Sequence, residues 1–364
     1  MSSDDGKIFN CHTHVFTNLH VPDQLLPFRL VPWLRRPQNR ALASRIIRLI
    51  NPVLNVYHRV FGVPEESNRV TRLMALLEVA GLQTQQQIFR VLEQQYPPGT
   101  RFVTLSIDMD YMEAGVASRD FLQQIQELAA LKQTFGTLVR PFLGVDPRRP
   151  GLLALVQRAH QEQGFCGLKL YPALGFLPDD PVLYEVYAYA QEHELPVVSH
   201  CSKGGLMYQG KIPPHPVTGQ TMTRMEYANY LSHPKRFIPV LKEFSELRVC
   251  LAHFGGAGEW RAFLNQSRQI PNAQTSWLDV IADMMRIYPN LYTDLSYTIS
   301  DVSLMPLAKV MVNTGELRDR ILFGTDFFVV RAETTEREFS IRLRGYLGET
   351  DFWHIANHNP RKFL

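Results

Sequence analysis

The sequence predicts an α/β fold in which eight parallel strands close into a (β/α)8 barrel, also called a TIM barrel. Two observations predict it. Short apolar runs rich in β-branched or aromatic residues recur along the chain, and segments with helical spacing of apolar residues separate them. Strands that alternate with helices favour parallel βαβ units, and eight such units favour a closed barrel over an open sheet.

The strand-like runs are bounded by Gly, Pro or Asp, which is typical of strand ends. They lie at 7–12, 101–107, 139–145, 166–171, 195–200, 248–253, 291–296 and 320–326. Several of the helical patterns between them follow Asp, Ser or Pro, which are favoured at helix starts. They occupy 119–135, 150–163, 181–193, 234–245 and 275–287.

Two connections are much longer than the others. The connection after the first strand runs from about 15 to 100, and the one after the fifth strand runs from about 202 to 233. Both follow strands, so both lie on the face where barrel enzymes carry their chemistry. We therefore expect a single domain spanning 1–364 in which the two insertions shape a substrate pocket. Within the first insertion, helical stretches are predicted near 40–60, 66–80 and 83–95.

The composition argues against a nucleic-acid or membrane partner. The net charge is only +3, and the chain has no basic tract. No run approaches the roughly 18–20 apolar residues of a membrane span, and the N-terminus lacks an apolar stretch of signal-peptide length. The four cysteines form no CxxC pair, which suits a reducing compartment. We expect a soluble, cytoplasmic protein with a small-molecule substrate, and a homodimer is one expected assembly.

The strongest local feature is His12-Thr13-His14, at the end of the first predicted strand. Residues two apart lie on the same side of an extended chain, so both imidazoles can reach one metal ion. His200, His253 and Asp326 end the fifth, sixth and eighth strands in the same way. Each alone is better explained as a polar residue that caps a loop or helix. Together they converge on one cavity, because a barrel brings its strand ends around a common centre.

This ordered set resembles the amidohydrolase superfamily, in its amidohydrolase-related (family 2) metal-dependent branch. The matching motifs run through nearly the whole chain: His12-Thr-His14, Gly167-Leu-Lys169-Leu-Tyr-Pro, His200, Ala252-His253-Phe-Gly-Gly, Gly324-Thr-Asp326 and Asn359-Pro-Arg-Lys-Phe-Leu. The resemblance implies that His12, His14, His200 and Asp326 hold one divalent metal. It also implies that His253 is either a ligand of a second metal or a catalytic residue.

The chemistry of these residue types supports the same interpretation. Imidazoles with a carboxylate suit zinc, so we expect one Zn²⁺. Such a metal lowers the pKa of a water to about 7. Asp326 would then accept the proton of that water, and His253 would stabilise the substrate oxyanion. The expected reaction is hydrolysis of an amide, lactone or ester. A non-oxidative decarboxylase of an aromatic or unsaturated acid is the alternative, and a barrel that only binds a ligand is a third hypothesis.

Lys169 has three alternative roles. It would form a carbamate that bridges two metals, as in some members of the superfamily, or contact a carboxylate or carbonyl of the substrate, or serve a structural purpose. Tyr171 is expected to point into the pocket with it, and Lys203 is a candidate to hold an anionic substrate group, although a solvated loop residue explains it too. Asp294 either contacts a ligand histidine or caps a turn. Strand alternation predicts that the Cys11 and Cys201 thiols point away from the metal.

Overall fold

The fold is the predicted eight-stranded parallel barrel. The computed structural model describes residues 6–25, 30–36, 38, 39, 42, 79, 81–265 and 275–364. Its strands pair in sequence order, each parallel to the next. The strands are β1 (Phe9–Thr13), β2 (Arg101–Leu105), β3 (Val139–Val145), β4 (Leu168–Leu170), β5 (Val197–Ser202), β6 (Val249–Gly255), β7 (Leu291–Asp294) and β8 (Ile321–Leu322).

Backbone hydrogen bonds between the first and last strands bring the barrel to closure. The Cys11 amide donates to the Phe323 carbonyl at 2.8 Å, and the Asp326 amide donates to the His12 carbonyl at 2.9 Å. Thr13 and Phe327 form a parallel bridge beyond them. The eighth strand is thus shorter than the predicted 320–326, but its backbone continues along β1. This seam holds the segments that carry His12 and Asp326 side by side.

Helices follow the strands and cover the outside of the barrel. They are α1 (Leu30–Arg35), α2 (Gln85–Glu93), α3 (Phe121–Phe135), α4 (Leu152–Gln163), α5 (Pro181–Glu192), α6 (Arg224–Ser232), α7 (Ile238–Glu243), α8 (Ala257–Asn265), α9 (Trp277–Ile287), α10 (Met305–Val312), α11 (Gly315–Arg318), α12 (Glu336–Leu347), α13 (Glu349–Trp353) and α14 (Asn359–Phe363). The helix predicted at 83–95 is confirmed as α2, whereas those near 40–60 and 66–80 lie outside the described residues apart from Leu42 and Val79. The pattern at 234–245 folds as a 3₁₀ turn, Pro234–Phe237, followed by α7.

Side-chain hydrogen bonds fix where several helices begin. Thr84, Asp120 and Thr223 each form a capping box with the residue three positions on, at the starts of α2, α3 and α6. Helix α6 is the regular part of the second long connection, since the described range 203–223 contains neither helix nor strand. Within the described residues, no helix combines the length and the apolar character needed to cross a membrane.

Strand side chains divide into an outer layer beneath the helices and an inner layer inside the barrel. On β4, Leu168 and Leu170 join the outer core while Lys169 between them points inward. Cys201 also lies in the outer core, as predicted. The prediction for Cys11 is wrong, because its side chain packs in the inner layer with Val103 and Cys250. The register of β1 shifts between Asn10 and Thr13, and this irregularity interrupts simple alternation.

Candidate active site

Three predicted ligands converge at the carboxyl end of the β1–β8 seam. His14 Nε2 lies 3.3 Å from Asp326 Oδ1, and His12 Nε2 lies 3.6 Å from the same oxygen. All three side chains are buried, and their candidate ligand atoms lie within 4.8 Å of one another. His12 Nε2 has no hydrogen-bond partner among the described residues. A buried, unpartnered imidazole nitrogen beside a carboxylate fits a divalent metal ion of the zinc type.

The far nitrogens of both histidines are engaged by acceptors. His12 Nδ1 contacts Asp294 Oδ2 at 2.9 Å, and His14 Nδ1 contacts the Leu105 carbonyl oxygen at 3.0 Å. A carboxylate and a carbonyl only accept, so Nδ1 carries the proton in each ring and Nε2 presents its lone pair to the cavity. Asp294 also accepts from the backbone amides of His253 and Ser296. It therefore both contacts a predicted ligand and holds a turn, which unites the two roles considered for it.

His200 and His253 lie together, at the carboxyl ends of β5 and β6. His253 Nε2 is 3.2 Å from His200 Nδ1, while His253 Nδ1 is 3.1 Å from the Ser296 carbonyl oxygen. The Tyr171 ring stacks on His200 with centroids 4.1 Å apart. His200 is not part of the compact group formed by His12, His14 and Asp326. Its role as the fourth ligand stays a prediction.

Burial and neighbouring groups shift the pKa values of His12, His200 and Asp326. Desolvation, together with the nearby Lys169 ammonium, lowers the pKa of His12 to about 3. Burial also lowers the pKa of His200 well below its usual value. For Asp326, burial raises the pKa, but contacts with His14, His12 and His253 outweigh it and leave the pKa below its ordinary range. Neutral imidazoles beside an ionised carboxylate are the forms that bind a metal ion.

Lys169 is a charged side chain inside the barrel. It is 1% exposed, and its Nζ has no hydrogen-bond partner among the described residues. Desolvation lowers its pKa to about 8, against the opposing effect of Asp326 and Asp294. Its Nζ lies 5.8 Å from the ring centroid of Tyr171, so both residues face the cavity, as predicted from their spacing. A buried ammonium in this state is stabilised by any anionic or carbonyl oxygen brought near it.

Two residues that carry candidate chemistry have left-handed backbone conformations. The φ angle of His253 is 69° and that of Asp326 is 65°. Few non-glycine residues adopt positive φ, and such conformations persist only where surrounding contacts impose them. Here the His253 carbonyl accepts from Thr298 Oγ1 at 2.6 Å, and the Asp326 amide is fixed by β1. The surrounding hydrogen bonds thus aim both side chains into the cavity.

A buried polar cluster behind the seam was not predicted from the sequence. Glu336 Oε1 accepts hydrogen bonds from Thr325 Oγ1 at 2.6 Å, Tyr96 Oη at 2.8 Å and Asn10 Nδ2 at 3.1 Å. Burial raises the pKa of Glu336 to about 7. The cluster ties α12 to the residues adjoining His12 and Asp326. Nothing local reveals it, because an acidic residue in the first turn of a helix ordinarily faces solvent.

One cavity of about 560 Å³ has the candidate site residues at its floor: His12, His14, Lys169, Tyr171, His200, His253 and Asp326. Lys203 also lines it, and its Nζ pairs with Glu259 Oε1 at 2.6 Å. Its predicted contact with an anionic substrate group stays a prediction. Only glycine fits at position 205, where φ is 82° and an added Cβ would lie 2.4 Å from the Tyr171 hydroxyl oxygen. The connection after β5 thereby approaches the stacked Tyr171 and His200 rings closely.

Comparison with solved structures shows the same barrel in other proteins. An uncharacterised TIM-barrel protein from Bordetella bronchiseptica is 17% identical, with a TM-score of 0.53 and 98% of each chain covered. The 4-oxalomesaconate hydratase of Rhodopseudomonas palustris is 16% identical, with a TM-score of 0.52 over 98% of this chain and 95% of that one. At such identities the likeness establishes the fold alone.

A third similar structure contains a metal. It is the 5-carboxyvanillate decarboxylase of Novosphingobium aromaticivorans, complexed with manganese and 4-hydroxy-3-methoxy-5-nitrobenzoic acid. It is 14% identical, with a TM-score of 0.50 and 97% of each chain covered. No curated protein matches this sequence. The family model described as amidohydrolase matches residues 11–364. With the barrel and its histidine and aspartate cluster in place, that match over nearly the whole length shows that the chain belongs to the amidohydrolase family.

Proposed function

We propose that this chain is a metal-dependent hydrolase that acts on the carbonyl group of a small molecule, with one Zn²⁺ as its metal. The observation that carries the proposal is the convergence of His12, His14 and Asp326 on one point, with the unpartnered Nε2 of His12 beside them. His200 completes the proposed ligand set from β5. When bound, the metal polarises the carbonyl and lowers the pKa of water enough to supply a nucleophile near neutral pH.

Four side chains around the cavity have proposed roles in the reaction. Asp326, ionised in the folded protein, accepts the proton of the attacking water and returns it to the leaving group. The Nδ1 of His253 donates to the Ser296 carbonyl, and when the ring is protonated at both nitrogens its Nε2 stabilises the negative charge that develops on the substrate oxygen. Lys169 contacts the same oxygen or a neighbouring carboxylate, and Tyr171 packs beside it. The positions of these side chains around the cavity support the proposed roles.

Non-oxidative decarboxylation is the second candidate, and Lys169 is the observation that favours it. A buried ammonium without a partner among the described residues is suited to bind a carboxylate. In this reaction the bond between the carboxylate carbon and the substrate body breaks, and its electron pair stays on the body. Carbon dioxide leaves, and a proton on His253 Nε2 is transferred to the carbon of the substrate body that had carried the carboxylate. Both candidates use the same residues, so the reaction itself must be measured.

Metal content, determined by elemental analysis of the purified protein and two variants, tests the site. We expect about one divalent ion per chain, lost in His12→Ala and kept in Lys169→Ala. Two ions, one of them lost in Lys169→Ala, would instead show a carbamate-bridged binuclear site. Absence of bound metal after reconstitution with divalent ions would defeat the proposal.

Isotope labelling then separates the two reactions. Turnover in ¹⁸O-labelled water places the label in the acid product of a hydrolase. Release of carbon dioxide from a carboxylic acid, with no label in the remaining product, would establish the decarboxylase instead. The His12→Ala variant provides the background rate for both measurements.

A further inference from the structure

The cavity has two chemically different parts. The polar side chains that carry the proposed chemistry gather at its floor, at the strand ends. Its walls are mostly apolar, and they are built by the connections that follow β1, β2, β5, β6, β7 and β8. The side chains that form this apolar wall include Phe16, Leu25, Ile107, Met109, Leu206 and Phe328.

Most of the apolar wall belongs to a hydrophobic cluster outside the barrel core, whereas Phe328 is part of that core and Phe16 packs against both. Ile107 and Met109 are buried in this cluster, and Phe16, Leu25 and Leu206 pack against it. It lies above the catalytic end of the barrel, where a solvated mouth would carry polar side chains. An apolar surface of this kind is stabilised when a ligand removes it from water.

The apolar wall begins directly beside the proposed metal site. The Phe16 ring packs edge-on against His14 with centroids 5.6 Å apart, and against Phe328 at 5.1 Å. The charged side chains of the described wall, Lys203 and Glu259, neutralise each other across 2.6 Å. The described wall therefore offers no unpaired charge to a second ionic group on the substrate.

We propose that the substrate carries a single carbonyl or carboxylate head on an uncharged, apolar body larger than one benzene ring. The head occupies the floor and the body packs against the apolar wall. The volume of about 560 Å³ falls among the pockets that enclose drug-sized ligands, of roughly 300–1,000 Å³. This inference rests on the proposed function for the position of the head, and it adds the class of compound that the site accepts.

Calorimetric titration of the zinc-loaded protein with three acids tests the inference. Benzoate supplies the head with one ring, biphenyl-4-carboxylate adds an apolar ring, and biphenyl-4,4'-dicarboxylate adds a charge at the far end. Burial of the second ring should tighten binding by at least about tenfold over benzoate. The far carboxylate should then weaken binding by at least about tenfold relative to biphenyl-4-carboxylate, because it loses its water without gaining a partner.

Substitutions of Met109 locate the bound body. Met109→Gln keeps the length of the side chain and makes it polar, so it should lower the affinity for biphenyl-4-carboxylate several-fold and leave that for benzoate unchanged. Met109→Leu, the apolar control, should retain the preference for the larger acid. The zinc content of each variant confirms that the floor is intact.

Two results would overturn the proposal. One is a dicarboxylate that binds as tightly as biphenyl-4-carboxylate, and the other is failure of the apolar ring to improve on benzoate, including failure of all three acids to bind. Either result leaves the proposed function to be judged by metal content and isotope labelling. The proposed function, conversely, would be contradicted by the absence of bound zinc or of turnover, whichever acid binds most tightly.

Discussion

The two halves of the cavity floor differ in how their side chains are held in place. On the half built by β1, β7 and β8, the far nitrogens of His12 and His14 each have an acceptor at 3.0 Å or closer. On the half built by β4 and β5, the Lys169 ammonium has no partner among the described residues, and His200 Nε2 makes only contacts of 3.3 Å.

This difference indicates which half already has its final geometry in the absence of a ligand. Fixed ring orientations and an ionised carboxylate are what a metal site requires, since the protein supplies the geometry in advance. An unpaired charge destabilises the folded chain until something neutralises it. We infer that the first half is stabilised by its own hydrogen bonds and the second is stabilised by substrate. Four substitutions test that division, two in each half.

The largest effect is expected from Asp326→Asn. It removes a proposed metal ligand and the proposed base together, so activity should fall by about 10²–10⁴-fold and bound metal should decrease. Initial rates and elemental analysis measure the two effects. The matched control is Asp283→Asn, at a carboxylate of α9 that is 68% exposed, which should change neither. Full activity in Asp326→Asn would show that the half built by β1, β7 and β8 takes no part in the mechanism.

The next effect is a gain of stability in Lys169→Met, measured on metal-free protein. Burial lowers the pKa of Lys169 to about 8 from 10.5, so between these values the unfolded chain binds more protons than the folded one. The destabilisation is therefore complete below about pH 8, and stability is regained as the pH rises towards 10.5. At pH 7 the variant should be more stable by up to about 3 kcal/mol.

Denaturant unfolding of both chains from pH 7 to 10.5 checks this expectation. The difference between their free energies of unfolding should shrink as the pH rises. Both chains contain the same four cysteines, so the effect of thiol titration cancels in this difference. A difference that is constant with pH, or a less stable variant at pH 7, would show that Lys169 is already paired in the folded chain.

A smaller effect is expected from Asp294→Ala, which leaves the proposed ligands in place but frees the His12 ring. Loss of such a supporting acceptor typically weakens metal affinity by roughly 10–100-fold. Competition with a chelator measures the affinity, and Asp283→Ala, on an exposed aspartate of α9, is the control. Unchanged affinity would mean that His12 needs no support, and the contrast between the halves would lose its basis.

Strand ends were the part of the site that the sequence could reveal. The separation of two residues predicted that His12 and His14 share a side, and the spacing of Lys169 and Tyr171 predicted that both face the cavity. These inferences need only local geometry. The orientation of Cys11 differs from the prediction because the register of β1 shifts, and the pattern of residues does not encode such a shift.

Contacts between distant segments could not be predicted. Asp294 meets His12 across 282 positions, and Glu336 meets Asn10 across 326. Their positions depend on how the barrel closes, and no spacing rule encodes that. The same holds for the apolar wall, since each of its residues alone is typical of an ordinary buried core. A closed fold is needed before supporting residues can be recognised.

The smallest effect is expected from Tyr171→Phe, in the second half. The Tyr171 hydroxyl accepts a hydrogen bond from the Leu206 amide at 3.0 Å, while its ring stacks on His200. Phenylalanine keeps the stacking and removes the acceptor, at a cost of about 1 kcal/mol. The connection after β5 should then order only when substrate binds, so KM should rise by about fivefold with kcat little changed.

Tyr187→Phe is the matched control for this last variant. Its hydroxyl donates to the Pro178 carbonyl at 2.8 Å in a buried site on α5, away from the cavity. It should lose a similar amount of stability with no change in KM. A fall in kcat at constant KM in Tyr171→Phe would show instead that the hydroxyl acts in the reaction. The half built by β4 and β5 would then contribute to catalysis as directly as the half built by β1, β7 and β8.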